Sequence, residues 1–277
     1  MKFDMRVMTT LAVPIGIVGI IMLLVFPLQP WMMDVFLTMS IMLSMIALLT
    51  TMFVKKPLEF SVFPTLVLVA ALFRLALNVA STRLILSPGS GGGEKAGKVI
   101  ESFGTFVVGG NFIVGMVVFV ILVIINFVVI TNGAGRVAEV GARFTLDAMP
   151  GKQMAIDADL NSGLIDEATA RARRAEIAAE ADFYGAMDGG SKFVKGDAIA
   201  GIIITLVNLI AGFIMGMVVD GMTATDAIST YSQLTVGDGL VSQIPSLLMS
   251  LATGVIVTRS KDSDEGGIGG DFSKQLT

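Results

Sequence analysis

Apolar residues gather into six long runs: Val7–Leu28, Val35–Val54, Phe60–Leu77, Phe106–Ile130, Ala198–Val219 and Leu240–Val257. Each approaches the ~20 residues that a helix needs to cross a hydrocarbon core, so the pattern predicts six transmembrane helices. The third run extends toward Leu86 if that helix is tilted or broken. One polar stretch, Thr131–Asp197, is too long to be a simple connection. It predicts a small cytoplasmic helical subdomain between spans four and five. The expected organisation is spans one to four in residues 1–130, the subdomain in 131–197, spans five and six in 198–258, and a flexible linker in 259–277. The fold class is therefore an all-α integral membrane protein.

Composition agrees with that pattern. Hydrophobic residues make up 54% of the 277 and charged residues only 15%, against roughly 25% charged in a soluble domain. The chain contains no cysteine and no histidine, which excludes disulfides, histidine catalysis and the usual zinc sites. No cofactor and no nucleic-acid partner is implied, and an enzymatic reading has no support. The first run follows Lys2 and Arg6, but its exit, FPLQPWMMD, lacks a small-residue cleavage site and predicts a retained anchor.

Basic residues set the orientation. Lys2, Arg6, Lys55, Lys56, eight residues of the long loop, and Arg259, Lys261 and Lys274 place 15 of the 19 Lys and Arg on one side. Lys95 and Lys98 lie opposite, while Arg74 and Arg83 fall in or beside the third span. By the positive-inside rule both termini and the long loop are cytoplasmic. On the outer side, Trp31 reads as an interfacial anchor, and Ser87–Gly104 as a glycine-rich turn followed by a short amphipathic helix.

The polar residues inside the spans are regularly spaced. Arg74, Asn78 and Ser81 share one helical face. An arginine at the centre of a membrane helix costs about 2.5–3.5 kcal/mol on insertion scales, so Arg74 should face protein or water. Arg83 lies nearer the outer interface, where it can snorkel. In the fifth span Asp197, Gly201, Thr205, Asn208, Gly212 and Gly216 form one stripe on an otherwise apolar helix. The glycines suit close helix packing, but packing does not account for Asp197. Lys192 and Lys195 are its nearest candidate partners in sequence, and Arg74 has two, Asp197 and Asp238. The sixth span carries Asp238, Ser242, Ser246, Ser250 and Thr253 on a second polar face. Asn111 and Asn126, near the ends of the fourth, read as helix-packing hydrogen bonders.

Within the loop, GGGEK and MPGKQ both lack the spacing of a phosphate-binding loop. Asp157, Asp159 and Asn161 start like a calcium loop, but the glycine and the distal glutamate are each displaced by one residue. DLNSGLIDE reads instead as a turn into a helix over about Asp166–Asp182, supported by a Glu167–Arg171 pair.

Arg136–Asp159, RVAEVGARFTLDAMPGKQMAIDAD, resembles the signature of the FHIPEP family, the export-gate proteins of flagellar and type III secretion systems. RLALNVASTRLIL (Arg74–Leu86), FVVGGNF (Phe106–Phe112), EADFYGAMDGGSKFVKGDAIAGIII (Glu180–Ile204) and TVGDGLVSQIPSL (Thr235–Leu247) extend the resemblance over most of the chain, and GAGRVAEVGARF and ADLNSGLI are most similar to the flagellar branch. The resemblance implies a bacterial inner-membrane export-gate component that forms a nine-fold homo-oligomeric ring. It also implies work with other gate proteins, an export ATPase complex and chaperone–substrate complexes, and coupling of a proton or sodium gradient to protein export. The charged positions that matter in the family correspond to Arg83, Arg136, Arg143, Asp147, Arg174, Lys192, Asp197, Asp238 and Arg259. Of these the family links Asp197 to proton coupling. Family members continue beyond the linker with further spans and a cytoplasmic domain that docks substrates, so docking is not expected of these residues. A passive ring scaffold and a secondary ion transporter are the competing readings. The second predicts internal repeats, and none is visible.

Overall fold

A computed structural model describes residues 5–87, 96–108 and 112–259. Every regular element among them is helical: α1 (Met5–Val25), α2 (Pro30–Phe53), a 3₁₀ turn (Pro57–Phe60), α3 (Phe63–Ile85), α4 (Lys98–Val108), α5 (Phe112–Val128), a π turn (Val129–Ala134), α6 (Gly135–Asp147), α7 (Met149–Asn161), α8 (Glu167–Val218) and α9 (Ala224–Val257). Four of these helices, α2, α3, α8 and α9, are long and apolar enough to cross a membrane. The pair α4 and α5, inclined at 108°, makes a fifth if counted as one broken span. The apolar part of α1, Pro14–Val25, is shorter. The predicted tail, Lys95 and Asn111 lie outside the described residues.

Three expectations are corrected. The fourth run is not one helix from Phe106. Phe106–Val108 finish α4 instead, because FVVGGNF places two consecutive glycines, the poorest helix formers after proline, where the run was expected to continue. The helix expected over Asp166–Asp182 does not stop there. It continues through GAMDGGSKFVKGD into the fifth apolar run as α8, 52 residues and roughly 78 Å at 1.5 Å per residue. The sixth helix begins at Ala224, not Leu240. There Thr223 Oγ1 accepts the Asp226 backbone N–H (3.2 Å) and donates to the Asp226 carboxylate (2.7 Å), a capping box that starts the helix well before its apolar part.

The chain divides into two compact units. The first takes in Met1–Ser44, Val69–Phe127 and Gly196–Leu247. Its core joins Met33 and Leu37 of α2, Phe73 and Leu77 of α3, Ile100 of α4 and Tyr231 of α9. In this unit α8 lies against α9 at Gly212 and Gly216, both filled by the Tyr231 ring. A methyl at Gly212 would sit 2.5 Å from Tyr231 Cδ1, and one at Gly216 would sit 2.8 Å from Ala227 Cβ. Tyr231 is fully buried, and its hydroxyl donates to Asp220 (2.8 Å).

The second unit takes in Met45–Leu68, Val128–Lys195 and Leu248–Thr277. Its centre is the α7–α8 hairpin, where Met149 and Ile156 pack on Ala170 and Ile177. The turn between them is set by Gly163 at φ 74°, with the Gly163 N–H bonded to Leu160 O and the Leu164 N–H to Asp159 O. That is a Schellman closure, which needs a residue without a Cβ at this position. Asp166 then caps α8, accepting the Thr169 N–H at 2.8 Å. Hydrogen bonds from the Thr169 side chain and then its backbone N–H hold the exposed Asp166 carboxyl below its ordinary 3.8.

Two measurements test this account. At Gly212, alanine gains about 1 kcal/mol of helix propensity but drives a methyl into Tyr231, which costs about 1–3 kcal/mol or more. Gly212→Ala should therefore destabilise the protein in a detergent unfolding assay. Gly185→Ala, with nothing within 4 Å of the new methyl, should stabilise it; like signs would refute the close packing. The cap has a defined pH sign. A depressed folded pKa stabilises above the unfolded value and loses that effect as pH falls through the folded one. Hydrogen exchange at the Thr169 amide, corrected for its intrinsic rate, should speed up below pH 3.8. Asp166→Ala should show the faster exchange already at neutral pH.

Candidate functional site

The first unit contains a polar seam among α3, α8 and α9. Arg74, Asn78 and Ser81 follow one face of α3, and all three are buried. The α8 stripe meets them in order. Arg74 Nη2 donates to Asp197 Oδ2, a buried ion pair joining residues 123 apart in sequence. One turn on, a methyl at Gly201 would lie 3.9 Å from Asn78 Nδ2, so that glycine lets the asparagine reach α8. Thr205 satisfies its hydroxyl on its own helix, donating to Gly201 O at 2.9 Å. Asn208 Nδ2 then donates to Asp238 Oδ2 of α9 at 3.4 Å. Ser81 donates its hydroxyl to Asn78 O on its own helix at 3.0 Å. Asp197 and Asn208 are separated by about 16 Å of helix at 1.5 Å per residue.

The two carboxylates have different surroundings. Asp197 has a cationic partner, although Asp197 Oδ1 and Arg74 Nε and Nη1 accept or donate no further hydrogen bond. Asp238 is 4% exposed and forms no salt bridge among the described residues. The hydrogen bond it accepts comes from the Asn208 amide. Further along α9, Ser242 bonds back to Gly239 O (3.1 Å), whereas the buried Ser246 hydroxyl has no partner among the described residues. Asn208 Oδ1 and the Thr235 hydroxyl are likewise buried without one. The seam therefore presents oxygen acceptors and one carboxylate with no fixed counter-charge. Among the described residues no three His, Cys, Asp or Glu converge as a metal site. Such a seam can accept water, a proton or a monovalent cation.

Other predicted positions fall elsewhere. Lys192 and Lys195 are not partners of Asp197. Lys192 pairs with Asp188 at 2.6 Å, one helical turn away, and Lys195 is exposed. Their nearness in sequence misled because on a helix residues two and five apart point to different faces. Arg83 reaches α1, donating to the carbonyls of Val25 (2.9 Å) and Leu24 (3.2 Å). Arg136 is exposed, and Arg143 and Asp147 form a solvated pair at 3.9 Å. Arg174 binds Asp157 and Arg173 binds Asp159 (3.2 Å), so the would-be calcium ligands are salt-bridge partners holding α7 to α8. Glu167 and Arg171 pair at 2.7 Å as expected. Asn126 Oδ1 is shielded and accepts no hydrogen bond among the described residues.

Sequence reasoning missed two residues. Glu180, 3% exposed, is paired with Lys152 at 3.0 Å; its position three residues after the buried Ile177 was the available signal. Asp34 was missed too. Its carboxylate accepts the N–H groups of Val99 (2.9 Å) and Lys98 (3.1 Å), capping α4 from a different helix.

The FHIPEP family model matches residues 20–277. The chain belongs to the FHIPEP family. Family relatives include the flagellar biosynthesis protein FlhA of Bacillus subtilis, 58% identical over 96% of this chain and 38% of the relative. FlhA of Escherichia coli K12 is 60% identical over 92% of this chain and 37% of the relative. The putative flagellar export/assembly protein LfhA of Escherichia coli O44:H18 is 57% identical over 96% and 38%. The chain thus spans about 38% of the length of the relatives it matches, and those relatives are of the flagellar branch. No solved structure matches.

The ion pair makes a stability prediction. Removing one member of a buried pair costs about 3–5 kcal/mol, because the other is left uncompensated. Arg74→Gln should cost that much in detergent unfolding, and the double variant Arg74→Gln/Asp197→Asn substantially less. Additive losses would show that the two residues are not coupled.

Proposed function

We propose that this chain is the membrane portion of an export-gate component of the flagellar type III protein export apparatus, and that it couples a proton or sodium gradient to export. The observation that carries this reading is the seam itself, with Asp197 bound to Arg74 and Asp238 without a counter-charge among the described residues. The relatives' printed names, flagellar biosynthesis and flagellar export/assembly, support the apparatus.

The proposed topology has six crossings: α1, α2, α3, the α4–α5 pair, the apolar half of α8, and α9. The N-terminus and the α6–α7 segment lie on the cytoplasmic side, where the Lys and Arg concentrate. The residues would sit in the bacterial inner membrane within a nine-fold ring of identical copies, beside other gate proteins. Contact with the export ATPase complex and with chaperone–substrate complexes would fall to the part of the relatives that this chain does not span.

Mechanistically, neutralising Asp197 removes the only hydrogen-bond acceptor shown for the Arg74 side chain. A buried guanidinium without a counter-charge is strongly unfavourable, so α3 and α8 must then shift or admit water. Asp197 sits on the same unbroken helix as Glu167, thirty residues and roughly 45 Å upstream. A passive ring scaffold is the reading to exclude, since the glycine contacts on Tyr231 are pure packing. Ion flux in liposomes that disappears on Asp197 substitution would separate the two.

The decisive comparison is Asp197→Asn against Asp197→Glu in the intact protein in cells. Asn keeps the size and loses the charge, so export and motility should fall by more than tenfold. Glu should retain a measurable fraction. Normal motility with Asn would rule out coupling at this residue.

A further inference from the structure

Next to Asp238, α9 is crossed by α4, which is held in an unusual way. Ile100, Gly104 and Val108 form its buried face, while Phe106 on the other side is 87% exposed. α4 meets α9 through glycines on both sides. The space a side chain would take at Gly237 is filled by Ile100 O, and that at Gly104 by Gln233 O. This crossing is immediately adjacent in sequence to Asp238. Beside it Ile85, Ile100, Tyr231 and Leu234, each no more than 2% exposed, form a dry apolar layer.

Only a few polar contacts tether the helix. Asp34 caps its N-terminus through Lys98 and Val99, and Gln233 Nε2 donates to Thr105 Oγ1 at 2.8 Å. Gly97, at φ 106°, turns the chain into α4, and a methyl there would lie 2.6 Å from Asp34 Oδ1. That position therefore needs glycine both for its backbone and for the approach of the carboxylate. At the other end the sequence places Gly109 and Gly110. At the crossing itself backbone meets backbone, so Ile100 and Val108 are the side chains that seat α4. Release requires breaking the Asp34 cap and one side-chain hydrogen bond and withdrawing those two side chains.

We propose that α4 is a lid over the Asp238 end of the seam, latched closed by Asp34, and that unlatching admits water and the coupling ion to Asp238. The inference rests on the seam being an ion path, yet the lid can be tested without measuring export. The chain has no cysteine, so a single reporter can be read cleanly. Thr235, buried one turn before Asp238, is suitable.

In the intact protein in cells, Thr235→Cys is treated with a cationic, membrane-impermeant methanethiosulfonate from the side opposite the Lys- and Arg-rich loops. With Asp34 present, labelling should be slow. In the Asp34→Ala background it should be at least tenfold faster. Equal rates would overturn the lid, whatever Asp197→Asn does to export. A second arm does not depend on Asp34→Ala accumulating in the membrane. Thr105→Cys/Gln233→Cys, joined by a short bis-methanethiosulfonate cross-linker, should lose motility and regain it on reduction. Full motility with the cross-link formed would equally overturn the proposal.

Discussion

A guanidinium buried in a helix bundle must find its counter-charge within the protein, and this requirement organises the first unit. Arg74 meets Asp197 across 123 residues of sequence, and that contact fixes the register of α3 against α8. Once it is set, the positions three and four residues further along α8 have determined neighbours: Gly201 at Asn78, Asn208 at Asp238, Gly212 and Gly216 at Tyr231. A slip of one residue rotates the α8 stripe by 100°. It would put Asp197 among apolar side chains and the glycines away from the tyrosine ring. The ion pair need not add net stability to have this effect. Its mispaired alternatives are so costly that one register is left.

The same shortage of water explains several charged residues that take no part in the seam. Helix ends leave carbonyls and N–H groups unpaired, and in an apolar medium other side chains must satisfy them. Arg83 does so for the C-terminus of α1. Arg259, 8% exposed, does so for the C-terminus of α2, donating to Thr51 O (2.9 Å) and Met52 O (3.3 Å). Asp34 supplies the opposite charge to the N-terminus of α4. Each places a charge where the helix dipole favours it. Loss of function at Arg83 or Arg259 would accordingly be a failure of helix docking before it was a failure of ion handling.

Much of the helical content and the composition of the seam could be read from the sequence, because 3.6-residue periodicity survives in a single helix. The stripe from Asp197 to Gly216 and the face Arg74–Asn78–Ser81 both stood out. Pairings between helices left no such trace. Lys192 and Lys195 were nearest to Asp197 in sequence, but the partner was a residue on another span. The unbroken α8 was hidden for another reason. Its Gly185, Gly189, Gly190 and Gly196 read as a loop by propensity, yet the flanking turns are held by Asp188–Lys192 and by the α7 contacts of Glu180. Tertiary packing overrode local preference there. At Phe106–Phe112 the reverse occurred: the apolar run was continuous, and the two glycines decided where the helix stopped.

The seam's asymmetry constrains how an ion could do work in it. Asp238 is hydrogen-bonded by the Asn208 amide and has no salt-bridge partner among the described residues, so a change in its charge leaves no cation uncompensated. Asp197 cannot change charge in that way, because Arg74 keeps its own under all physiological conditions. In the proposed ion path, a change of charge at Asp238 strips no cation of its partner, whereas one at Asp197 leaves Arg74 without its counter-charge. The proposed coupling uses both properties, one carboxylate that exchanges and one whose neutralisation displaces helices. Asp197 and Asn208, the residue that binds Asp238, lie about 16 Å apart along α8, and Asp238 is next to the α4 crossing at Gly237.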